Sequence, residues 1–180
     1  MSKILVIESS PHKRGSSNLL AGEFIRGAQE AGHEIAVFDA GHANLHPCMG
    51  CGACGMSGPC VQKDDMADLR EKLLSCDVAV FVTPLYYFGF STQLKTVIDR
   101  FYSFNGQLTE KGLKTVLIAA AWDSNDWTMR DIRAHYETLC GYLNFQNLGE
   151  ILGVGCGTVQ MTKHTRFPQE AYSLGKRIGG

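Results

Sequence analysis

Four of the seven cysteines fall within 13 residues, as Cys48, Cys51, Cys54 and Cys60. In a C-x2-C-x2-C run three successive thiolates can wrap one cuboidal iron–sulfur cluster, and a fourth cysteine nearby closes the set. Gly50, Gly52, Gly55 and Gly58 supply the tight turns that such a wrap needs and bare N–H groups to face the sulfurs. Structural zinc sites space two C-x2-C pairs farther apart, which makes zinc the weaker reading. The bland alternative is a glycine-rich loop carrying free thiols. Cys76, Cys140 and Cys156 lie in or beside apolar stretches and read as small core residues.

A second set of residues suits an anion. Ser9-Ser10-Pro11-His12-Lys13-Arg14-Gly15-Ser16-Ser17-Asn18 joins an apolar run to a helical pattern. The hydroxyls of Ser10, Ser16 and Ser17, the Asn18 amide and the free N–H groups of a helix start can converge on one phosphate. Capping a helix needs one small polar residue, and here there are three. No G-x-x-x-x-G-K-[ST] is present, and the loop has no cysteine nucleophile, so P-loop hydrolysis and cysteine phosphatase chemistry lack support. Gly50–Gly55 matches G-x-G-x-x-G as a string but follows no strand and opens no helix.

A third set is aromatic. Pro84-Leu85-Tyr86-Tyr87-Phe88-Gly89 follows another apolar run, and three adjacent rings can cover a flat ligand. Pro84 and Gly89 let the backbone bend so that its N–H groups face a ring edge. Taken with the first loop, this favours a planar phosphorylated cofactor over an ordinary hydrophobic turn.

The elements that must carry these loops alternate. Lys3–Glu8, Glu34–Phe38, Val78–Val82, Thr115–Ala121 and Leu148–Val154 read as buried strands. Helical spacing appears in Leu20, Phe24, Ala28 and Ala31, in Met66, Leu69 and Leu73, and in Leu94, Val97, Ile98 and Phe101. It recurs in Met129, Ile132, Tyr136, Leu139 and Leu143, then over Pro168–Ile178, with Asp65 as an expected N-cap. Strands alternating with helices imply an α/β parallel sheet covered on both faces, with ligands beyond the carboxyl ends of its strands. Residues 39–63 stand out as one long Cys- and Gly-rich insertion in an otherwise single domain of 180 residues. The Trp122–Trp127 segment follows the fourth strand and can border the ligand or a partner subunit, with Trp127 itself read as core, and Lys95 with Asp99 reads as a surface pair on a helix.

Composition narrows the function classes. Hydrophobic residues make up 44% and charged residues 19%, enough apolar material for a packed core. Lys plus Arg is 17 against 18 for Asp plus Glu, a balance that argues against nucleic acid as a partner. No apolar run is long enough to span a membrane, and the start MSKILVIESSPHKRG has too short an apolar stretch for a signal core. The expectation is a cytoplasmic protein.

The segments S-S-P-H-K-R-G-S-S-N, C-M-G-C-G-A-C, K-D-D-M and T-P-L-Y-Y-F-G-F-S-T-Q-L-K-T-V-I-D-R together resemble the NAD(P)H-dependent FMN reductase family, which includes the iron–sulfur flavoproteins. The resemblance is good over residues 3–103 and beyond them rests on element order. It implies a flavodoxin-like, doubly wound, five-stranded parallel sheet. FMN phosphate would lie on Ser10, Ser16, Ser17 and Asn18, and the isoalloxazine along Pro84, Leu85, Tyr86, Tyr87, Phe88 and Gly89. His12 stands where the family has an arginine, and Lys13 and Arg14 are near enough to take over its charge. By spacing, Cys48, Cys51, Cys54 and Cys60 match the family's [4Fe–4S] motif. The implied activity is electron transfer from NAD(P)H through FMN to a second acceptor such as a flavin or quinone, in a homodimer or homotetramer. No acid–base or nucleophilic residue is then required. Two rivals are an iron–sulfur electron carrier exchanging with ferredoxin and a non-catalytic redox-sensing flavin module.

Overall fold

A computed structural model describes residues 1–178. The strands β1 (Lys3–Glu8), β2 (Glu34–Asp39), β3 (Val78–Pro84), β4 (Lys114–Ala120) and β5 (Gln146–Gly153) form one five-stranded sheet in the order β2-β1-β3-β4-β5. Every pairing is parallel. The helices are α1 (Ser16–Glu30), α2 (Met66–Ser75), α3 (Thr92–Arg100), α4 (Asn105–Lys111), α5 (Arg130–Leu143), α6 (Val159–Lys163) and α7 (Phe167–Arg177). This is the flavodoxin-like order, which reverses direction between β1 and β3 and so opens a crevice above their carboxyl ends.

Alternation along each strand divides the core in two. Leu5, Ile7, Ala79, Phe81 and Leu117 pack with α2, α3 and α5. Ile4, Val6, Val78, Val80, Val82, Val116 and Ile118 pack with α1 and α7 on the opposite face. With both faces covered, the central strands read as unbroken apolar runs instead of alternating ones. On the second face α1 and α7 touch backbone to backbone. A Cβ at Gly27 would lie 2.1 Å from the Tyr172 carbonyl oxygen, and one at Gly175 2.1 Å from that of Phe24.

The strands and long helices appear where the periodicity places them, shifted by a residue or two at their ends. The short helices α4 and α6 carry too few turns to leave a readable period. Phe101 packs in the core from a 3₁₀ turn (Phe101–Phe104) and not from α3 itself. Asp65 is the N-cap residue of α2, as expected, but its side chain makes no capping hydrogen bond. Its neighbour Asp64 accepts from the Met66 N–H at 3.2 Å, while the Asp65 carboxylate accepts from the Asn44 N–H at 2.7 Å. No regular element interrupts the chain between β2 and α2. Among the described residues, no helix is long and apolar enough to cross a membrane.

Candidate functional site

A cleft of about 720 Å³ opens at the β1/β3 reversal, within the size range of cofactor pockets. The first loop lines it from Ser10 to Ser17, the β3 loop supplies Pro84, Leu85 and Tyr86, and later loops add Trp122 and Cys156–Val159. The two loops singled out from sequence thus meet in one cleft.

The end of the cleft that the sequence suits to an anion is built on α1. Its N-cap is Gly15, and no side chain caps it. The hydroxyls of Ser16 and Ser17 therefore remain free for a ligand. Ser17 is buried, and its Oγ has no hydrogen-bond partner. A buried hydroxyl left unpaired costs free energy unless something else accepts from it. Ser10 Oγ accepts from the His12 N–H at 3.1 Å and so folds the loop over itself. Lys13 and Arg14 are exposed at the mouth, as is His12. Asn18 lies elsewhere. Its Nδ2 donates to Glu8 Oε2 at 3.3 Å, in a side pocket under the loop that also holds Lys163. Burial, and then the nearby Asp39 charge, push the Glu8 carboxyl above its usual range.

The two loops are braced from beneath. Ser9 Oγ donates to the Val82 carbonyl at 2.7 Å, and Ser91 Oγ donates to Ser9 Oγ at 2.8 Å. The Ser91 N–H donates to Thr83 Oγ1 at 3.0 Å, while Ser91 also caps α3. All three hydroxyl residues are buried. They lock the end of β1, the end of β3 and the start of α3 into one unit.

The aromatic loop is a tight hairpin. The Tyr86 and Gly89 N–H groups each donate to the other's carbonyl, at 3.2 and 3.1 Å, around Tyr87 (φ 44°) and Phe88 (φ 65°). Left-handed backbone at two bulky aromatic residues is strained. The Leu85 N–H donates to the Ala120 carbonyl at 2.8 Å, so the loop's bonds go mostly to protein. Only the Tyr87 and Phe88 N–H groups are left over. Tyr87 is fully exposed, and Tyr87, Phe88 and Gly89 stand on the rim outside the cleft wall, which the loop lines with Pro84, Leu85 and Tyr86.

Two tryptophans from the loop after β4 stand at the cleft and its rim. Trp127 is 47% exposed and packs its ring 5.3 Å from that of Phe88, so it buttresses the rim and is not core. Trp122, 70% exposed, lies across Gly157. A Cβ there would sit 2.4 Å from the indole. Its place at the end of β4 marks it in the sequence, because loops at strand carboxyl ends face the crevice, and Trp122 does line the cleft. Cys156 is buried in the floor of the same cleft, and burial raises its thiol pKa.

The cysteine loop stands apart from this cleft, although its first turn touches it. A Cβ at Gly41 would lie 2.3 Å from the Ser10 carbonyl oxygen, so the two loops abut there. Cys48, Cys51, Cys54 and Cys60 all line one recess of about 20 Å³, together with Met49, Val61, Tyr102 and Arg100. Among the described residues, no three histidine, cysteine or carboxylate side chains converge on a single metal position. The four cysteines share the recess without bringing three donors to one point. A cuboidal cluster holds its thiolates wider than one ion does, and the donor set suits it. The turns at Gly50, Gly52 and Gly55 have to spread to admit one, and nothing packs within 4 Å of a Cβ position at any of them. His42 and His46 stand four apart near this loop, but each already faces a carboxylate, Asp39 and Asp64 respectively.

Arg100 and Asp64 tie the loop down. Both side chains are 1% exposed, and they pair at 2.6 and 3.0 Å. Arg100 also donates to the His46 carbonyl at 2.8 Å, and Asp64 accepts from the His46 N–H at 3.0 Å. Burial alone would raise the Asp64 carboxyl, yet Arg100 and the N–H groups of His46 and Met66 hold it down to about 2. Burial works against the Arg100 charge, and Asp64 and then the Cys60 side chain outweigh it. In the sequence Arg100 only closes the T-P-L-Y-Y-F-G-F-S-T-Q-L-K-T-V-I-D-R segment of the family resemblance, and nothing in its spacing points to this burial. Lys95 and Asp99 do form the expected exposed pair, at 2.6 Å.

The family model described as NADPH-dependent FMN reductase matches residues 2–154. An iron–sulfur flavoprotein of Archaeoglobus fulgidus is 31% identical over 110 residues, 61% of this chain and 50% of that protein. The chain thus spans about half the length of such relatives. A Bacillus subtilis protein with the provisional name NAD(P)H-dependent FMN-containing oxidoreductase YwqN is 26% identical over 166 residues, 85% of each chain. Among solved structures, the NAD(P)H:quinone oxidoreductase of Methanothermobacter marburgensis superimposes with a TM-score of 0.79 at 16% identity, over 99% of this chain and 96% of that one. At that identity the likeness is one of fold.

Proposed function

This chain belongs to the NADPH-dependent FMN reductase family, and we propose that it binds FMN at the β1/β3 crevice and carries electron pairs from NAD(P)H to a second acceptor. The observation that carries this reading is Ser17, a buried hydroxyl without a partner at the uncapped start of α1, facing a cleft of about 720 Å³. A phosphate there would accept from Ser17, Ser16 and the first N–H groups of α1, and the helix dipole would favour its charge. Pro84, Leu85 and Tyr86 would flank the flavin ring on one side and Trp122 on the other. FMN, when bound, supplies the two-electron chemistry, so the protein's part is to bind, orient and exclude water. The free N–H groups of Tyr87 and Phe88 are the donors the aromatic loop can still offer to a charged ring edge.

The test is reconstitution. Purified protein should bind FMN, bleach with NADH or NADPH under anaerobic conditions, and recover its colour with a quinone, free flavin or ferric acceptor. Binding with no turnover on any of them would leave a sensing module and sink the enzyme reading.

The shared recess supports a second reading, in which the four cysteines hold a [4Fe–4S] cluster and the chain passes single electrons between it and the flavin. Iron and acid-labile sulfide in anaerobically prepared protein test it, and protein free of iron would end it.

A further inference from the structure

Among the described residues, Arg100 is the one charged side chain that is both fully buried and placed against the cysteine set. Two of its nitrogens are committed, to Asp64 and to the His46 carbonyl. The third, Nε, is buried and has no hydrogen-bond partner. The residue lines the same recess as Cys48, Cys51, Cys54 and Cys60. A guanidinium presents its donors as a rigid fork, so fixing two of them fixes where the third points. An unpaired buried N–H calls for an acceptor, and four of the side chains lining this recess are cysteines, beside Gln62, Asp99 and Ser103.

We propose that Arg100 is a positioning residue for the cysteine set: it clamps both ends of the loop through His46 and Asp64 and donates its Nε–H to the sulfur of Cys60. The inference rests on the cluster reading above. A cluster held here would put negative charge on its ligating sulfurs when reduced, and the Arg100 N–H would favour that form. Hydrogen bonds to sulfur are one of the levers that set cluster potentials. Because Asp64 balances the guanidinium charge, removing the pair together changes the donor and leaves the net charge as it was.

The experiment compares anaerobically prepared full-length wild type, the double variant Asp64→Asn/Arg100→Gln, and Arg100→Lys. Iron and sulfide content, cluster midpoint potential, circular dichroism and FMN binding are read for each. The double variant should keep its fold and FMN while its reduction equilibrium falls about tenfold, since a hydrogen bond to a charged group contributes about that much. That corresponds to about 59 mV for one electron. Arg100→Lys keeps the charge but loses the fork, and its potential should fall by less. An unchanged potential in a folded, iron-loaded double variant overturns the role of Arg100 and leaves the cluster reading standing. Wild type without iron overturns both and is recognised before any variant is made. Should the double variant lose its fold, Arg100→Lys decides: loss of iron with no shift in the cluster that remains means a merely structural residue.

Discussion

The crevice over β1 and β3 and the cysteine loop beside it are held by opposite means. The crevice loops are tied to the sheet at many points: Ser9 to Val82, Ser91 to Ser9 and Thr83, Leu85 to Ala120, Trp122 against Gly157. Residues 40–65 close like a zip instead, with Asn44 bonded to Asp65, His46 to Asp64 and Gln62 to Pro47. Beyond that, the backbone bonds of the tip are local, with the Gly55 N–H donating to the Gly52 carbonyl and the Ser57 and Gly58 N–H groups to that of Cys54. One buried ion pair joins this loop to α3. A site braced by a sheet shares the stability of the whole domain, whereas a loop hung on one pair can open by itself.

Removing Arg100 or Asp64 singly should produce the largest effect. Leaving one buried charge unpaired costs about 3–5 kcal/mol. Hydrogen exchange in Arg100→Leu should show lost protection over residues 44–65, with FMN affinity intact. A parallel loss of FMN binding would make the two regions one cooperative unit and break the comparison.

Ser91→Ala attacks the other side. It removes the link between both crevice loops and should lower global stability by about 1–3 kcal/mol, the cost of orphaning buried partners. FMN binding should weaken in the same variant while exchange in the cysteine loop stays as it was. Denaturant melts of apoprotein alongside FMN titrations measure both.

Ser17→Ala sharpens the phosphate assignment. FMN affinity should drop about tenfold, as expected for one charge-assisted bond. Apoprotein stability should hold or rise, because an unpaired buried hydroxyl has gone. A stability loss without an affinity loss would count against a phosphate at α1.

Acid should release the cysteine loop first. The Asp64 carboxyl sits at about 2 in the folded chain, below its ordinary 3.8. Its contribution is therefore complete above pH 3.8 and disappears as pH falls towards 2. Loop proteolysis should rise across that window in wild type and show no such step in Asp64→Asn.

Gly157→Ala should have the smallest effect on stability, because the indole it displaces is largely exposed. Its readout is flavin fluorescence and the KM for bulky acceptors, both of which should change if Trp122 walls the ring. Neither moving would leave Trp122 outside the flavin site.

Much of this protein was determined locally. Apolar runs such as Val78–Val82, bounded by turn residues and separated by helical periods, can only be buried parallel strands with covered faces, and that layering places Ser9–Asn18 and Pro84–Gly89 at one edge of the sheet. The cysteine spacing likewise announced a shared recess, because a short glycine-rich segment cannot carry its thiols far apart. What tertiary structure alone decided was where side chains face once neighbours compete for them. Asn18 turned to Glu8 and away from the cleft, Asp65 kept the α2 N-cap position but gave its carboxylate to Asn44, Trp127 became rim, and Arg100 became the buried clamp of a loop 36 residues before it. Each of these depends on partners distant in the chain, and a period or a spacing records only what neighbouring residues do together.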